Sequence, residues 1–164
     1  MALYNDFVTQ NASAVKANKD VSARSVGAPV KKVLFSFEKA AGDIANSIFR
    51  IARISPFAKI ISLKVMCDAI TGLTEVDAGF YKPAEVGGTE IDKDCLKDGI
   101  NLAAGTALID IYVAAAADIG KEAYLLASIT EPNVDRYGAF DVALTANSAG
   151  TDVGTIAGIL EYVE

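Results

Sequence analysis

From Pro29 onward the chain alternates apolar and polar residues in short segments, and the period is two. In Lys32–Glu38, Val33, Phe35 and Phe37 alternate with Leu34, Ser36 and Glu38. In Lys59–Ala69, Ile61, Leu63, Val65, Cys67 and Ala69 fall on one side, with Ser62, Lys64 and Asp68 on the other. Both patterns predict half-buried strands. Ser47–Ile54 (SIFRIARI) is rich in β-formers, and strict alternation would place Arg50 and Arg53 on opposite faces. Glu75–Tyr81, Tyr137–Ala146 and Gly154–Val163 read as further strands, and Asp92–Ala107 with Asp110–Ala117 as one or two more.

Turn signals separate these runs: Ala41-Gly42-Asp43, Ser55-Pro56, Thr71-Gly72, Gly87-Gly88, Asp98-Gly99, Pro132-Asn133 and Ala149-Gly150. Helical periodicity shows only in Lys121–Ile129 (KEAYLLASI), about two turns long, after Gly120 and before Thr130-Glu131-Pro132. Many short strands without recurring helices argue against a parallel βαβ sheet and predict an all-β fold. The expected architecture is an antiparallel, jelly-roll-like β-sandwich with one short helix.

Residues 1–28 differ from the rest: they carry no clear period and end at Gly27-Ala28-Pro29, a turn-and-extend signal. Charge divides at nearly the same place. Residues 1–32 have a net charge of +3, from Lys16, Lys19, Arg24, Lys31 and Lys32 against Asp6 and Asp20, and the remainder −9. We read 1–28 as an extended N-terminal arm and 29–164 as the sandwich domain. With aromatic Tyr4 and Phe7 and basic Lys16, Lys19 and Arg24, such an arm is suited to lying across a neighbouring subunit and ordering on contact.

Composition narrows the chemistry. The 164 residues include no histidine, no tryptophan and two cysteines, Cys67 and Cys95. Ser-His-Asp and Cys-His hydrolysis and His-ligated metal sites are therefore excluded. The cysteines match no metal or redox spacing and read as reduced, small hydrophobes, with Cys67 facing the core. A net charge of −6 has the wrong sign for holding nucleic acid. The longest apolar run, Leu108–Ala117, is broken by Asp110 and falls short of a membrane span, and the opening MALYNDFVTQ lacks the pattern of a signal peptide. The chain is expected to be made and kept in a reducing cytoplasm or to leave it by lysis, with neither nucleic acid nor membrane as partner. An apolar content of 52% exceeds what solubility asks and suggests that some apolar surface meets a protein partner.

Few residues offer themselves as a site. Asp92 and Asp94 begin like a calcium loop, but Leu96, Lys97 and Ala103 occupy the positions that need a ligand, a glycine and a bidentate glutamate. Gly150, Gly154 and Gly158 recur every fourth residue without a following lysine, and read as strand glycines at tight contacts. Asn11-Ala12-Ser13 is a glycosylation sequon by pattern only. Asp68 and Asp77 could meet across strands as a carboxylate pair, though sugar chemistry would also need aromatic platforms. Arg50 and Arg53, in an apolar strand, mark either a solvated edge or an internal salt bridge, or else an ion pair across a subunit contact. No catalytic residue, cofactor or metal ligand is predicted.

The stretch Asp43–Tyr81 resembles a family of small β-sandwich proteins, the capsid decoration or cement proteins of tailed bacteriophages. Its resemblance rests on the strand Ser47–Ile54, the polar-Pro turn Ser55-Pro56, the long strand and turn Lys59–Gly72, and Asp77–Tyr81. The helix ahead of Glu131-Pro132, the run Tyr137–Asn147 and the last Gly-Thr-Ile (Gly154–Ile156) extend it. The resemblance implies a non-enzymatic virion protein on the capsid exterior, many copies bridging neighbouring major capsid protein subunits against internal DNA pressure. Closure on a local symmetry axis would then make it a dimer or trimer. A phage tail, connector or fibre protein, and a glycan-binding module, remain alternatives.

Overall fold

A computed structural model describes residues 29–41, 43–112, 114–130 and 138–164. The arm residues Tyr4, Phe7, Lys16, Lys19 and Arg24 lie outside them. Among the described residues there are eight strands: β1 (Lys31–Lys39), β2 (Ser47–Ile54), β3 (Lys59–Cys67), β4 (Val76–Tyr81), β5 (Glu90–Ile100), β6 (Thr106–Asp110), β7 (Phe140–Ala146) and β8 (Gly154–Val163). One helical turn, α1 (Ala123–Leu126), separates β6 from β7.

Two four-stranded sheets form, in the orders β1-β8-β3-β6 and β2-β7-β4-β5. The pairs β1–β8, β2–β7, β3–β6 and β4–β5 are all antiparallel, so the chain is one long hairpin with its tip between β4 and β5, rolled into two layers. This is the double-sheet jelly roll. The all-β sandwich read from the alternation is what the chain forms.

The core lies between the sheets and holds Leu63 and Val65 of β3, Ala78 and Phe80 of β4, Phe140, Val142 and Leu144 of β7, and Ile156 and Leu160 of β8, all buried. The rings of Phe80 and Phe140 meet at 5.4 Å. Fully burying each of these Leu, Val, Ile and Phe side chains stabilises the fold by about 1.5–3 kcal/mol. At the strand end, Lys39 is wholly buried, and its ammonium donates to the carbonyls of Ala40 and Gly150, each at 2.8 Å, and Asp152 at 3.4 Å.

Several local expectations change. A bulge between Ile60 and Ser62 shifts the phase of β3, so Ile60 turns in with Leu63 and Val65, and Ile61 turns out. β3 ends at Cys67, which is half-buried, and Ala69 is exposed beyond it. Of the strand expected over Asp110–Ala117 only Asp110, the last residue of β6, is in a strand among the described residues, and the Asp110 carboxylate takes the amides of Leu63 (3.3 Å) and Tyr112 (3.2 Å) where the strand ends. The helix is one turn, not two: the amides of Ala123 and Tyr124 donate to Ala58 and Pro56 carbonyls, and Ser128 stops it at a φ of 54°. No helix among the described residues is long and apolar enough to cross a membrane.

Candidate functional surfaces

In the second sheet, β4 and β7 are buried on both faces. Their outward residues are Asp77, Gly79 and Tyr81 on β4, paired with Thr145, Ala143 and Asp141 on β7. What covers them is a layer of long polar side chains from the flanking strands, so this face is a continuous ion-pair and hydrogen-bond network.

Its first half centres on Asp141. A bulge between Arg50 and Ala52 inserts one residue into β2, and the two arginines that strict alternation would separate come to the same outer face. Arg50 Nη1 lies 2.8 Å from Asp141 Oδ2, and Arg53 Nε 2.8 Å from Oδ1. Arg50 also donates to the carbonyls of Lys82 (3.1 Å) and Gly88 (3.0 Å), and its guanidinium sits 5.6 Å from the centre of the Tyr81 ring. Arg53 reaches on to Glu85 in the 82–89 loop. The hydrogen bonds that Arg53 donates to Asp141 and then to Glu85 raise its guanidinium further above its usual range, and Arg53 in turn lowers the Glu85 carboxyl. Asp141 is thus the buried anchor of an internal salt bridge that straps this loop to the sheet.

The second half is built on Asp77, buried in the middle of β4. Its Oδ1 accepts the Gly99 amide at 3.1 Å, and Oδ2 accepts Asn147 Nδ2 and lies 3.3 Å from Lys93 Nζ. Lys93 Nζ donates to Asn147 Oδ1 at 2.8 Å. Burial alone would raise the Asp77 carboxyl, but the hydrogen bonds of Asn147 and Gly99 and the Lys93 ammonium hold it below the usual carboxylate range. Burial likewise opposes the Lys93 ammonium, and Asp77 outweighs it, raising that group. Gly79 makes the arrangement reachable: a Cβ there would stand 2.1 Å from the Asp92 carbonyl, so only glycine lets β5 bend over β4 and deliver Lys93. Tyr81 and Thr145 close the layer with a 2.7 Å hydroxyl pair. A cleft of about 430 Å³ opens above them, between Ile48, Gly88 and Lys93.

Asp68 and Asp77 do not meet as a pair. Asp68 instead accepts the Thr155 amide at 3.1 Å. Asp92 and Asp94 belong to strand β5, and no cluster of possible metal ligands occurs among the described residues. The Lys93–Asp77–Asn147 cluster escaped sequence reasoning, although a lone aspartate in the apolar run EVDAGFY was its signal: a buried carboxylate demands donors.

The first sheet is different outside. Leu34 pairs with Ile159 and Met66 with Ala157, all facing away from the core, and Leu34 is 77% exposed. Lys32, Lys64 and Ser62 gather on Glu161 beside this apolar strip. A second apolar patch, with a groove of about 300 Å³, lies between Ile61, Tyr112 and Ile119.

No family model matches the chain, and no curated protein matches it. Among solved structures, a chain from the capsid of Ralstonia phage GP4 shares the fold at a TM-score of 0.56, with 15% identity over 83% of this chain and 84% of that one. A chain from the capsid asymmetric unit of cyanophage Pam1 aligns at 0.48 with 12% identity, over 84% and 86%.

Proposed function

We infer that this protein is a structural component of a tailed-phage virion, a capsid decoration protein that binds the outside of the assembled head and bridges major capsid protein subunits. The observation that carries this reading is the jelly-roll fold shared with the capsid chain of Ralstonia phage GP4 over most of both chains. Because a fold by itself hosts many functions, a second feature supports it: the first sheet exposes Leu34, Met66 and Ile61 where a monomer would gain from polar residues. In this reading the apolar strip seats the body on the capsid, and the basic arm with Tyr4, Phe7, Lys16, Lys19 and Arg24 reaches a neighbouring subunit. Arg53, part of whose side chain remains exposed beside Glu85 on the outer face of the other sheet, is placed for a separate polar contact with a neighbouring subunit, with Arg50 behind it.

Co-sedimentation of the purified protein with expanded heads, procapsids and tails tests the proposal. Binding to expanded heads alone is expected; binding to tails alone would make it a tail protein, and binding to neither would end the virion reading. Residues 29–164 without the arm should bind at least tenfold more weakly, about 1.4 kcal/mol. Salt should weaken the whole chain more than the truncated one.

A further inference from the structure

Lys93 and Asp77 stand on the neighbouring strands β5 and β4, and Asn147 directly follows β7, the next strand of the sheet. An ammonium offers only donors and an ionised carboxylate only acceptors, so the amide of Asn147 has one possible orientation, Oδ1 to Lys93 and Nδ2 to Asp77. With Nζ 2.8 Å from Oδ1 and a carbonyl bond of about 1.2 Å, the amide carbon is within about 4 Å of the lysine nitrogen. A nucleophile, an electrophilic carbonyl and a proton carrier touching both the amine and the leaving nitrogen are therefore held together. Hydrogen bonding alone does not require the lysine and amide nitrogens to converge on one carboxylate oxygen, Asp77 Oδ2.

We propose that Lys93 and Asn147 become joined by a side-chain amide bond, with Asp77 as the catalytic proton carrier. The step balances without any oxidant or cofactor. Lys93 passes a proton to Asp77, and its freed lone pair attacks the Asn147 carbonyl carbon, pushing the carbonyl electrons onto Oδ1. Asp77 protonates the Asn147 nitrogen and takes a proton from the new N–C link. As the carbonyl reforms, the bond to Nδ2 breaks and ammonia leaves, carrying off the proton left on Asp77 as ammonium. Proximity replaces an encounter in solution. The ion pair is the resting form and the neutral amine–acid pair the reactive one, so the reaction is slow and happens once per molecule. Burial of Asp77, whose side chain is 2% exposed, works against the charges, though its hydrogen bonds and the Lys93 ammonium keep the ion pair as the resting form. The product bolts β5, an edge strand with three breaks in register, across β4 to β7. It closes a loop between residues 54 apart, which restricts the unfolded chain as a disulfide would.

Mass spectrometry of the full-length protein, fresh and after prolonged incubation, decides the matter. The expected result is an intact mass lighter than the sequence by one ammonia, and a branched peptide joining the Lys93 and Asn147 segments after proteolysis. Lys93→Arg and Asn147→Ala should keep the full sequence mass. Asp77→Asn, which preserves shape but carries no proton, should stay unlinked. A wild-type protein that keeps its full mass after incubation, or loses ammonia without that branched peptide, overturns the proposal. So does an Asp77→Asn protein that links as fast as wild type.

Discussion

The ammonium of Lys39 is bonded to the carbonyl oxygen of Gly150, 111 residues further along the chain, and the side chain has no exposure to solvent. Backbone oxygens at the end of β1 and in the turn before β8 take its charge, so this one side chain fastens the two together.

Replacing it tests how much the fastening matters. Lys39→Met removes the charge but leaves buried carbonyls without donors, and should cost about 1–3 kcal/mol. Urea unfolding of wild type and variant reads this directly. An unchanged midpoint would mean that water satisfies the carbonyls equally well.

Gly158 offers a sharper test of packing. A Cβ at this position would stand 2.0 Å from the Lys64 carbonyl oxygen and 2.5 Å from Phe35 Cζ. The ring could yield, but the β3 backbone cannot without breaking the ladder. Gly158→Ala should lose about 1–3 kcal/mol or more, seen as a lower melting temperature. A stabilised variant would show that β8 and β3 are less close than described.

Asp141 anchors two arginines, and its side chain is 5% exposed. Asp141→Asn leaves both guanidiniums short of a charged acceptor. Because the arginines are partly solvated, the loss should be about 1–3 kcal/mol, below that of a fully buried pair. In Arg53→Ala the same change should cost less, since half the strap is already gone; equal costs in both backgrounds would show that the two residues do not interact.

Acid should weaken the protein through Glu161. Hydrogen bonds from Lys32 and then Ser62 hold its carboxyl down to about 2, against an ordinary 4.5. A depressed carboxylate contributes stability above its unfolded value and loses it as pH falls through the folded one. The melting temperature should therefore drop between about pH 4.5 and pH 2. Asp92, raised by burial and by its neighbour Asp94, works in the opposite sense, so the comparison that isolates the effect is Glu161→Gln. That variant should show a shallower drop; an identical profile would remove Glu161 from the explanation.

Burial raises both thiols, Cys95 more than Cys67. Alkylation of the native protein at neutral pH should be slow at both and slowest at Cys95, with rates measured by mass spectrometry after timed labelling. Rapid reaction at Cys95 would place β5 further from the core than it lies.

What the sequence shows most legibly is where strands begin and end. Ser47–Ile54 and Gly154–Val163 begin and end where the pattern predicts, and Lys32–Glu38 lies within β1. What periodicity could not supply is phase after a bulge: one inserted residue sends Ile61 outward and brings Arg50 and Arg53 together. Edge strand β5 was hard to delimit because its sequence, EIDKDCLKDGI, has no apolar period. The polar cluster on β4 required knowing that Asp77 sits in an inner strand, which depends on pairing between distant segments.

The position of β8 between β1 and β3 has a consequence for synthesis. A nascent chain that has delivered everything through Ala146 can complete the β2-β7-β4-β5 sheet, yet β1 and β3 still lack the strand that both pair with. The first sheet cannot close until Gly154–Val163 leaves the ribosome. Until then Val33, Phe35 and Phe37 hang on an unpaired strand, the state in which such a chain is most prone to aggregate or to need a chaperone.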